Sequence, residues 1–323
     1  MNKGTLILSL DFELHWGIFE KAPIEERISY FDNTLAVIPK ILELFAKYNI
    51  EATWATVGML FNESLDELMS SFPSEIPNYR DEALSAYKYI QDNLKIIDKY
   101  SDFYFAKELI NLIHNTKGQE VASHTYSHYY CLESGQTISD FRQDLEININ
   151  KANKLRSSIH SIVLPRNQYN ADYNQICLEL GIKSIRSNPN IWFWNTITKE
   201  TLLKKIARTA DCYLPLHNSL FELKSDKLKP EQVLLIPASR FFRPLGKYAI
   251  LNRLRIRRIK KEMTRAAKFN KLYHLWWHPH NFGVNPKRAL EELEELLKHY
   301  KSLNEKYNFQ SLNMKSIFKN HSK

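Results

Sequence analysis

The chain opens on a short apolar run that ends directly in two carboxylates. Residues 6–10 read Leu-Ile-Leu-Ser-Leu, and Asp11 and Glu13 follow at once. A mostly aliphatic run without polar alternation is typical of a parallel strand that is buried on both faces. In parallel α/β folds the functional groups lie at the carboxyl ends of such strands. The run therefore predicts an α/β fold, with Asp11 and Glu13 at its active site.

Similar runs recur along the chain, and segments with helical periodicity separate them. The further predicted strands cover residues 52–57, 119–123, 161–165, 182–185, 210–214, 233–237 and 272–277. Apolar residues at helical spacing predict helices over 30–48, 83–90, 105–113, 138–155, 174–180, 240–271 and 286–300. Seven or eight strands alternating with helices favour a (β/α) barrel over an open sheet.

Two segments differ from this regular alternation within what we predict to be a single domain, residues 1–323. The long connection 61–118 suggests either a lid that shapes the substrate site or ordinary surface helices. Residues 240–271 hold twelve lysines and arginines against one acid, Glu262, whereas the whole chain has a net charge of +9. Interleaved apolar residues make this segment a basic amphipathic helix, which either contacts an anionic membrane surface or packs, solvated, on the barrel.

Composition narrows the class of protein. With 44% hydrophobic and 25% charged residues, the chain resembles an ordinary globular protein. Its three cysteines lie far apart and form no Cys-x-x-Cys pair, which argues against a disulfide framework and a structural zinc site. No leader precedes the first strand, and no apolar run is long enough to span a membrane, so we expect a cytoplasmic protein that could sit at the inner face of the membrane. The basic segment carries no nucleic-acid-binding motif, and no nucleic acid is expected.

Histidines and an arginine follow three other predicted strands. His124 and His128 are four residues apart, and on one helical turn both imidazoles could reach a single ion. Arg166 and His278 each follow a later strand. Taken singly, these residues could equally be core histidines or members of a structural ion pair. Their shared position at strand carboxyl ends is what predicts a site, because two histidines and a carboxylate leave room on a metal for water and substrate.

Together these motifs resemble the polysaccharide deacetylases of the NodB-homology type (carbohydrate esterase family 4), from residue 5 to about residue 285. His124-Thr125-Tyr126-Ser127-His128 matches the family's His-Ser/Thr-x-x-His motif, and Asp11-Phe12-Glu13 matches a branch with an Asp-x-Glu first motif. The resemblance implies a distorted (β/α) barrel of about seven parallel strands. It also implies removal of an N- or O-acetyl group from a sugar with the help of one divalent metal ion.

The resemblance assigns roles to the residues of the first two motifs. Asp11 would be the base that takes the proton of water, and Glu13, His124 and His128 would hold the metal. The expected metal is zinc, although cobalt, nickel or manganese accept the same ligands. Phe12 separates the two carboxylates, where most members have adjacent aspartates. Residues two apart in a strand share a face, so this arrangement still brings both carboxylates to one site.

The later motifs carry the remaining roles. Arg166 would orient Asp11, and His278 would protonate the leaving amine or alcohol. The third motif departs from the family, because Pro165 precedes Arg166 and no glycine follows. In the family a backbone donor to the oxyanion follows this motif, and here Asn167 or Gln168 would contribute in its place.

Aromatic side chains near these motifs could stack on a sugar ring. Candidate platforms are Trp16, Tyr126, Trp276 and Trp277, of which we assign Trp16, Tyr126 and Trp277 to substrate binding, with core packing as the alternative. The expected substrate is an acetylated sugar of the cytoplasm, either nucleotide-linked or lipid-pyrophosphate-linked. Such a sugar would be an intermediate of surface polysaccharide (O-antigen or capsule) assembly.

Two other classes of protein remain open. One is a different metal-dependent barrel enzyme, such as a sugar isomerase or an amidohydrolase acting on a small cyclic amide. The other is a relative that binds glycan without catalysis. Acetate release distinguishes the first from a deacetylase, and metal content distinguishes the second.

Overall fold

A ring of parallel strands forms the centre of the protein, described by a computed structural model over residues 3–194, 201–223, 229 and 231–321. Its strands are β1 (Thr5–Phe12), β2 (Ala52–Thr56), β3 (Gln119–Ser123), β4 (Ser161–Val163), β5 (Ser184–Ser187), β6 (Leu234–Pro237), β7 (Arg240–Phe241), β8 (Leu272–Trp277) and β9 (Gln310–Ser311). Their order across the sheet is β6-β5-β4-β3-β2-β1-β8-β7, and β9 pairs with β1. The paired strands run parallel.

The two ends of this sheet are joined by one bent stretch of chain. Strand β6 pairs with β5, whereas β7, which follows after two residues, pairs with β8. At the bend, the Ala238 amide donates to the Ser187 carbonyl and the Ser239 amide donates to the His274 carbonyl, each at 2.8 Å. The stretch 234–241 therefore fills one position in the ring and changes neighbour halfway. The predicted distorted barrel of about seven parallel strands is confirmed.

Helices surround the barrel and bury one face each. They are α1 (Ile28–Lys47), α2 (Leu65–Ser70), α3 (Ala86–Asp92), α4 (Leu94–Lys99), α5 (Lys107–Asn115), α6 (Ile138–Lys154), α7 (Asn174–Glu179), α8 (Leu202–Asp211), α9 (Ala249–Lys268), α10 (Pro286–Tyr307) and α11 (Met314–His321). Helix α6 begins with a capping box in which Thr137 and Asp140 satisfy each other's backbone amides. No helix in the described ranges is both long and apolar enough to cross a bilayer.

The alternation of side chains along β1 directs the first carboxylate into the barrel. Leu10 and Phe12 belong to the large core between strands and helices. Ile7 belongs to a smaller core inside the ring. Because successive residues of a strand face opposite sides, Ser9 and Asp11 share the face of Ile7. Asp11 therefore lies at the inner carboxyl end of the barrel.

One predicted strand is wrong. Residues 210–214 do not form a strand, because 202–211 are helix α8 and a turn follows. Thr201 caps this helix through its hydroxyl, which accepts from the Lys204 amide. The last helical residue, Asp211, is buried and pairs with Arg240. The short run Ala-Asp-Cys-Tyr-Leu resembles a strand locally, but its aspartate is bound by a cation from β7.

The basic segment 240–271 divides into strand β7 and helix α9, and some of its charge is used internally. Arg240 donates to both carboxylate oxygens of Glu262, at 2.6 and 2.8 Å. Arg258 bonds the same carboxylate, and Arg255 pairs with Glu292 of α10. These three arginines are buried. The inner face of α9 is therefore attached to the barrel by ion pairs, and only its outer face presents charge to solvent.

Candidate active site

A cleft of about 610 Å³ opens at the carboxyl ends of the strands. Asp11 lines it from β1, and Glu13 lines it from just beyond the end of that strand. His128 lines it from the loop after β3, Trp276 from β8, and His278 from the residue that follows β8. No residue of 61–118 is among those that line it. The cleft therefore lies where the sequence placed the active site, and its described walls come from other segments.

Glu13, His124 and His128 form a buried group that could hold a metal ion. His124 Nε2 lies 3.8 Å from Glu13 Oε1, and His128 Nε2 lies 3.4 Å from Glu13 Oε2. The potential ligand atoms all lie within 4.8 Å of one another. The Nδ1–H of His124 donates to the Val163 carbonyl at 2.8 Å, which leaves Nε2 as the ligand nitrogen. His128 Nδ1 is hydrogen-bonded to the Tyr130 hydroxyl at 3.0 Å, so both rings are oriented from behind.

The two histidines converge through a loop. We had expected them on one helical turn, but Thr125 and His128 have φ values of 62° and 56°, in the left-handed region. The buried Asp144 of α6 stabilises this conformation, since it accepts from the amides of Tyr126 at 2.6 Å and Ser127 at 2.9 Å. The predicted pairing of the histidines is present in the structure, but the predicted helical geometry is wrong.

Asp11 is held by an arginine that sequence reasoning missed. Arg186, on β5, donates from Nη1 to Oδ1 at 2.6 Å and from Nη2 to Oδ2 at 2.7 Å. Its guanidinium also stacks on the Trp276 ring, 4.3 Å from the centroid, and donates to Asn167 Oδ1 at 2.9 Å. Burial alone would raise the pKa of Asp11, but the Arg186 charge, with a contribution from His124, lowers that pKa below its ordinary value. The Asp11 carboxylate is therefore ionised and fixed in orientation.

Arg166 does not hold Asp11, so that prediction needs correction. Its guanidinium pairs with Glu20 at 2.6 Å and lies over the Tyr130 ring at the rim of the cleft. Arg166 has a left-handed φ of 52°, within a turn that follows the short strand β4. The signal for Arg186 was present in the sequence, because this arginine directly follows the predicted strand 182–185.

His278 lies beside both carboxylates. Its Nε2 is 3.0 Å from Glu13 Oε1 and 3.8 Å from Asp11 Oδ2, and its side chain is 23% exposed towards the cleft. Burial would lower the pKa of His278, but Glu13 and Asp11 outweigh burial and raise it. The stacked neighbour His280 behaves differently, because burial lowers the pKa of its imidazole to about 3. Of the two histidines, His278 is the one placed and charged to donate a proton.

Glu13 belongs to both groups of ligand atoms in this site. Besides its group with the two histidines of the loop, it forms a second group with Asp11 and His278. Burial would raise the pKa of Glu13, but the neighbouring imidazoles of His278 and His128 hold it well below its ordinary value. An ionised carboxylate beside three imidazoles is a donor that suits a divalent cation.

The three aromatic residues assigned to substrate binding lie away from the cleft. Trp16 is fully buried and its indole N–H donates to the Tyr104 carbonyl at 2.9 Å. Tyr126 and Trp277 are fully buried as well. The cleft instead uses Trp276, the neighbour of Trp277, because adjacent residues of β8 face opposite sides of the sheet. The assignment of these three aromatics is therefore corrected to core packing.

Asn167 and Gln168 do line the cleft. Asn167 accepts from Arg186, as described above. Gln168 accepts from the Leu132 amide at 3.1 Å and donates to Glu133 at 2.7 Å. Further lining residues that the sequence did not single out are Asn188, Trp194, Lys205, Arg208 and Phe241.

Comparison with known families agrees with this geometry. Residues 26–185 match the model of the family described as polysaccharide deacetylase, a span that contains the His-x-x-x-His motif. The chain belongs to the polysaccharide deacetylase family. No curated protein sequence matches it.

Several solved structures are similar to this chain in fold. A protein assigned as a polysaccharide deacetylase in Mycobacterium smegmatis is 13% identical, with a TM-score of 0.60 over 99% of this chain and 91% of its own. A 4-alpha-glucanotransferase from Thermococcus litoralis is 12% identical, with a TM-score of 0.53 over 99% of this chain and 40% of its own. A GH57-type branching enzyme from Pyrococcus horikoshii is 12% identical, with a TM-score of 0.52 over 98% and 70%. At these identities the likeness concerns the barrel fold alone.

Proposed function

We propose that the protein is a metal-dependent deacetylase that hydrolyses an N- or O-acetyl group on a sugar. The observation that carries this proposal is the convergence of Glu13, His124 and His128 on one point, with Asp11 and His278 beside it. Membership of the polysaccharide deacetylase family supports the substrate class. A glycan-binding protein without catalysis would not need the base, the metal ligands and the acid together.

The donor set fits a divalent ion. One carboxylate and two imidazoles suit Zn²⁺, and Co²⁺, Ni²⁺ or Mn²⁺ accept the same ligands. His124 is kept neutral because burial lowers the pKa of its imidazole to about 4. A divalent ion at this point would supply Lewis acidity, which lowers the pKa of water and polarises an acetyl carbonyl.

The residues of the chain itself move the protons in the proposed reaction. Asp11, which Arg186 holds ionised and in a fixed orientation, accepts a proton from the attacking water. His278 donates a proton to the departing amine or alcohol. The two side chains are 3.8 Å apart at their nearest atoms, so both can serve one reacting centre. In this hydrolysis the oxygen of water bonds to the acetyl carbon, and the bond from that carbon to the nitrogen or oxygen of the sugar breaks. The protons of water end on the two products, acetate and the free amine or alcohol.

The walls of the cleft suit a sugar that carries an anionic group. Its volume is typical of sites for small ligands, and Trp276 and Phe241 offer faces on which a sugar ring can stack. Lys205 and Arg208 add positive charge to the wall. We infer that the substrate is a phosphate-linked acetylated sugar of surface polysaccharide (O-antigen or capsule) synthesis, and that the protein works in the cytoplasm.

The test is acetate release from a panel of acetylated nucleotide sugars and glycolipids, with protein loaded with each candidate metal. Asp11→Asn should lower turnover by about 10²–10⁴-fold, the usual contribution of a general base. Glu133→Gln is the matched control, since Glu133 lines the same cleft but does not belong to either ligand group. Metal-loaded protein that releases no acetate from any member of the panel would contradict the proposal. A sugar that is isomerised without acetate release would point to the other enzyme class.

A further inference from the structure

Helix α8 turns its apolar side chains to solvent and two of its cations to the cleft, the reverse of a normal surface helix. Leu202, Leu203 and Ile206 lie on one face and are 73%, 64% and 56% exposed. On the other face, Lys205 and Arg208 line the cleft. A helix on a globular protein usually turns its apolar face to the core and its charges to water. The described part of the chain leaves this apolar face exposed, which is typical of a surface that contacts another molecule.

Further exposed apolar side chains flank this helix in the sequence. Trp192 is 52% exposed, Leu214 is 56% exposed and Leu216 is 47% exposed. The segment of Trp192 is attached to the helix, since Arg208 Nε donates to the Phe193 carbonyl at 2.6 Å. We call the set Leu202, Leu203, Ile206, Leu214 and Leu216 the α8 apolar surface. Concentrations of exposed apolar residues on this scale mark sites of contact with a protein or a membrane.

The neighbouring helix α9 carries positive charge on its outer face. Its exposed cations follow one another at a spacing of three or four residues, and they are Arg253, Arg257, Lys261, Arg265 and Lys268. The approach to α9 is joined to α8, because Arg243 Nη1 donates to Thr209 Oγ1 at 3.2 Å. Tyr248 and Ile250, at the start of α9, are 68% and 69% exposed. Apolar and cationic surfaces are therefore connected through this junction.

We propose that the α8 apolar surface docks on an anionic lipid bilayer. Aliphatic side chains next to a row of cations are the combination that interfacial helices use, because the apolar groups enter the acyl boundary while the cations meet anionic headgroups. A second copy of the chain is a poorer occupant, since each copy brings a net charge of +9. Helix α9 supplies long-range attraction, and α8 supplies the apolar insertion.

Docking through α8 has a consequence for the substrate, and this consequence rests on the proposed function. Lys205 and Arg208 would lie between the bilayer and the metal ligands, because they occupy the cleft side of the helix that touches the membrane. An acetylated sugar attached through phosphate to a membrane lipid would place its phosphate near these cations and its sugar at the metal end. The structure thus favours a lipid-linked substrate over a nucleotide-linked one.

Vesicle sedimentation of the full chain tests the docking. The protein should bind phosphatidylcholine vesicles that contain phosphatidylglycerol, bind pure phosphatidylcholine more weakly, and dissociate as salt is raised. The double variant L203E/I206E should lower the partition coefficient by about a hundredfold, because each lost apolar side chain removes a factor of about ten. The matched control is L112E on α5, where Leu112 is 41% exposed outside the α8 apolar surface. R257E/K261E should weaken binding to the anionic vesicles selectively.

Three results would overturn the inference. The first is no binding of the wild type to anionic vesicles at low salt. The second is equal binding by L203E/I206E and L112E, once circular dichroism and metal content show that both variants are folded. The third is a dimer of the wild type, in sedimentation without vesicles, that L203E/I206E abolishes, since a second copy would then be the occupant. Acetate release from a water-soluble acetylated sugar would survive any of these results, so the proposed deacetylase can stand when the docking fails.

Discussion

Arg186 and Arg166 form a natural pair for testing how the site is held together. The sequence predicted that Arg166 orients Asp11, but the arginine that contacts this carboxylate is Arg186, through two hydrogen bonds of 2.6 and 2.7 Å. The Arg186 side chain is 0% exposed and that of Arg166 is 32% exposed. We predict that Arg186→Gln damages both folding and turnover, whereas Arg166→Gln has little effect on Asp11.

The expected magnitudes follow from burial. Removing Arg186 leaves the carboxylate of Asp11 buried without its counter-ion, and breaking a buried pair in this way costs about 3–5 kcal/mol of folding free energy. Removing Arg166 breaks an ion pair with a partly exposed cation, which is worth less than about 1 kcal/mol. Turnover by R186Q should fall by about 10²–10⁴-fold, since Asp11 loses the orientation and charge that a general base needs.

Denaturant unfolding and acetate release measure the two effects separately. Arg186→Lys should recover part of the stability, because the charge returns, but little of the turnover, because the two-pronged geometry does not. The double variant D11N/R186Q should lose less stability than the sum of its single variants, since no unpaired charge is left behind. The reasoning is refuted if R186Q unfolds and turns over like R166Q.

Three further predictions follow from the same contacts. Glu13→Gln should lose metal affinity, whereas Asp11→Asn should keep the metal and lose turnover; metal analysis checks this, and equal metal binding by both variants would reverse the assignment. Burial, with the charge of Arg186, lowers the pKa of His274 from 6.5 to about 3. In the unfolded chain His274 is protonated below about pH 6.5, whereas in the folded chain it stays neutral down to about pH 3. The free energy of unfolding therefore falls as the pH drops through this range. Between pH 7 and pH 5 the free energy of unfolding should fall by about 2 kcal/mol less in His274→Gln than in the wild type. Denaturant unfolding at both pH values measures this difference. A Cβ at Gly17 would lie 1.5 Å from Glu13 Oε2, so Gly17→Ala should displace this carboxylate and weaken metal binding, while Gly246→Ala, whose nearest atom is 3.7 Å away, should not.

Local sequence patterns determined the class of fold and most of the residues of the candidate site. Buried parallel strands need continuous apolar runs, and such runs are visible without tertiary information. Because the carboxyl ends of parallel strands meet at one end of a barrel, residues that follow these runs must come close together. Asp11, Glu13, His124, His128 and His278 were found in this way, and the structure brings them close together around Glu13.

Tertiary structure alone decided which partners these residues have. Arg166 and Arg186 both follow strands in the sequence, and the choice between them depends on the turn after β4 and on the position of β5 across the ring from β1. Trp276 and Trp277 are equivalent by composition, but the pleat of β8 sends one to the cleft and the other to the core. Tertiary structure likewise decides that the apolar side chains of helix α8 face solvent while Lys205 and Arg208 face the cleft. These outcomes depend on the orientation of side chains across the barrel, which is a property of the closed ring and not of any single segment.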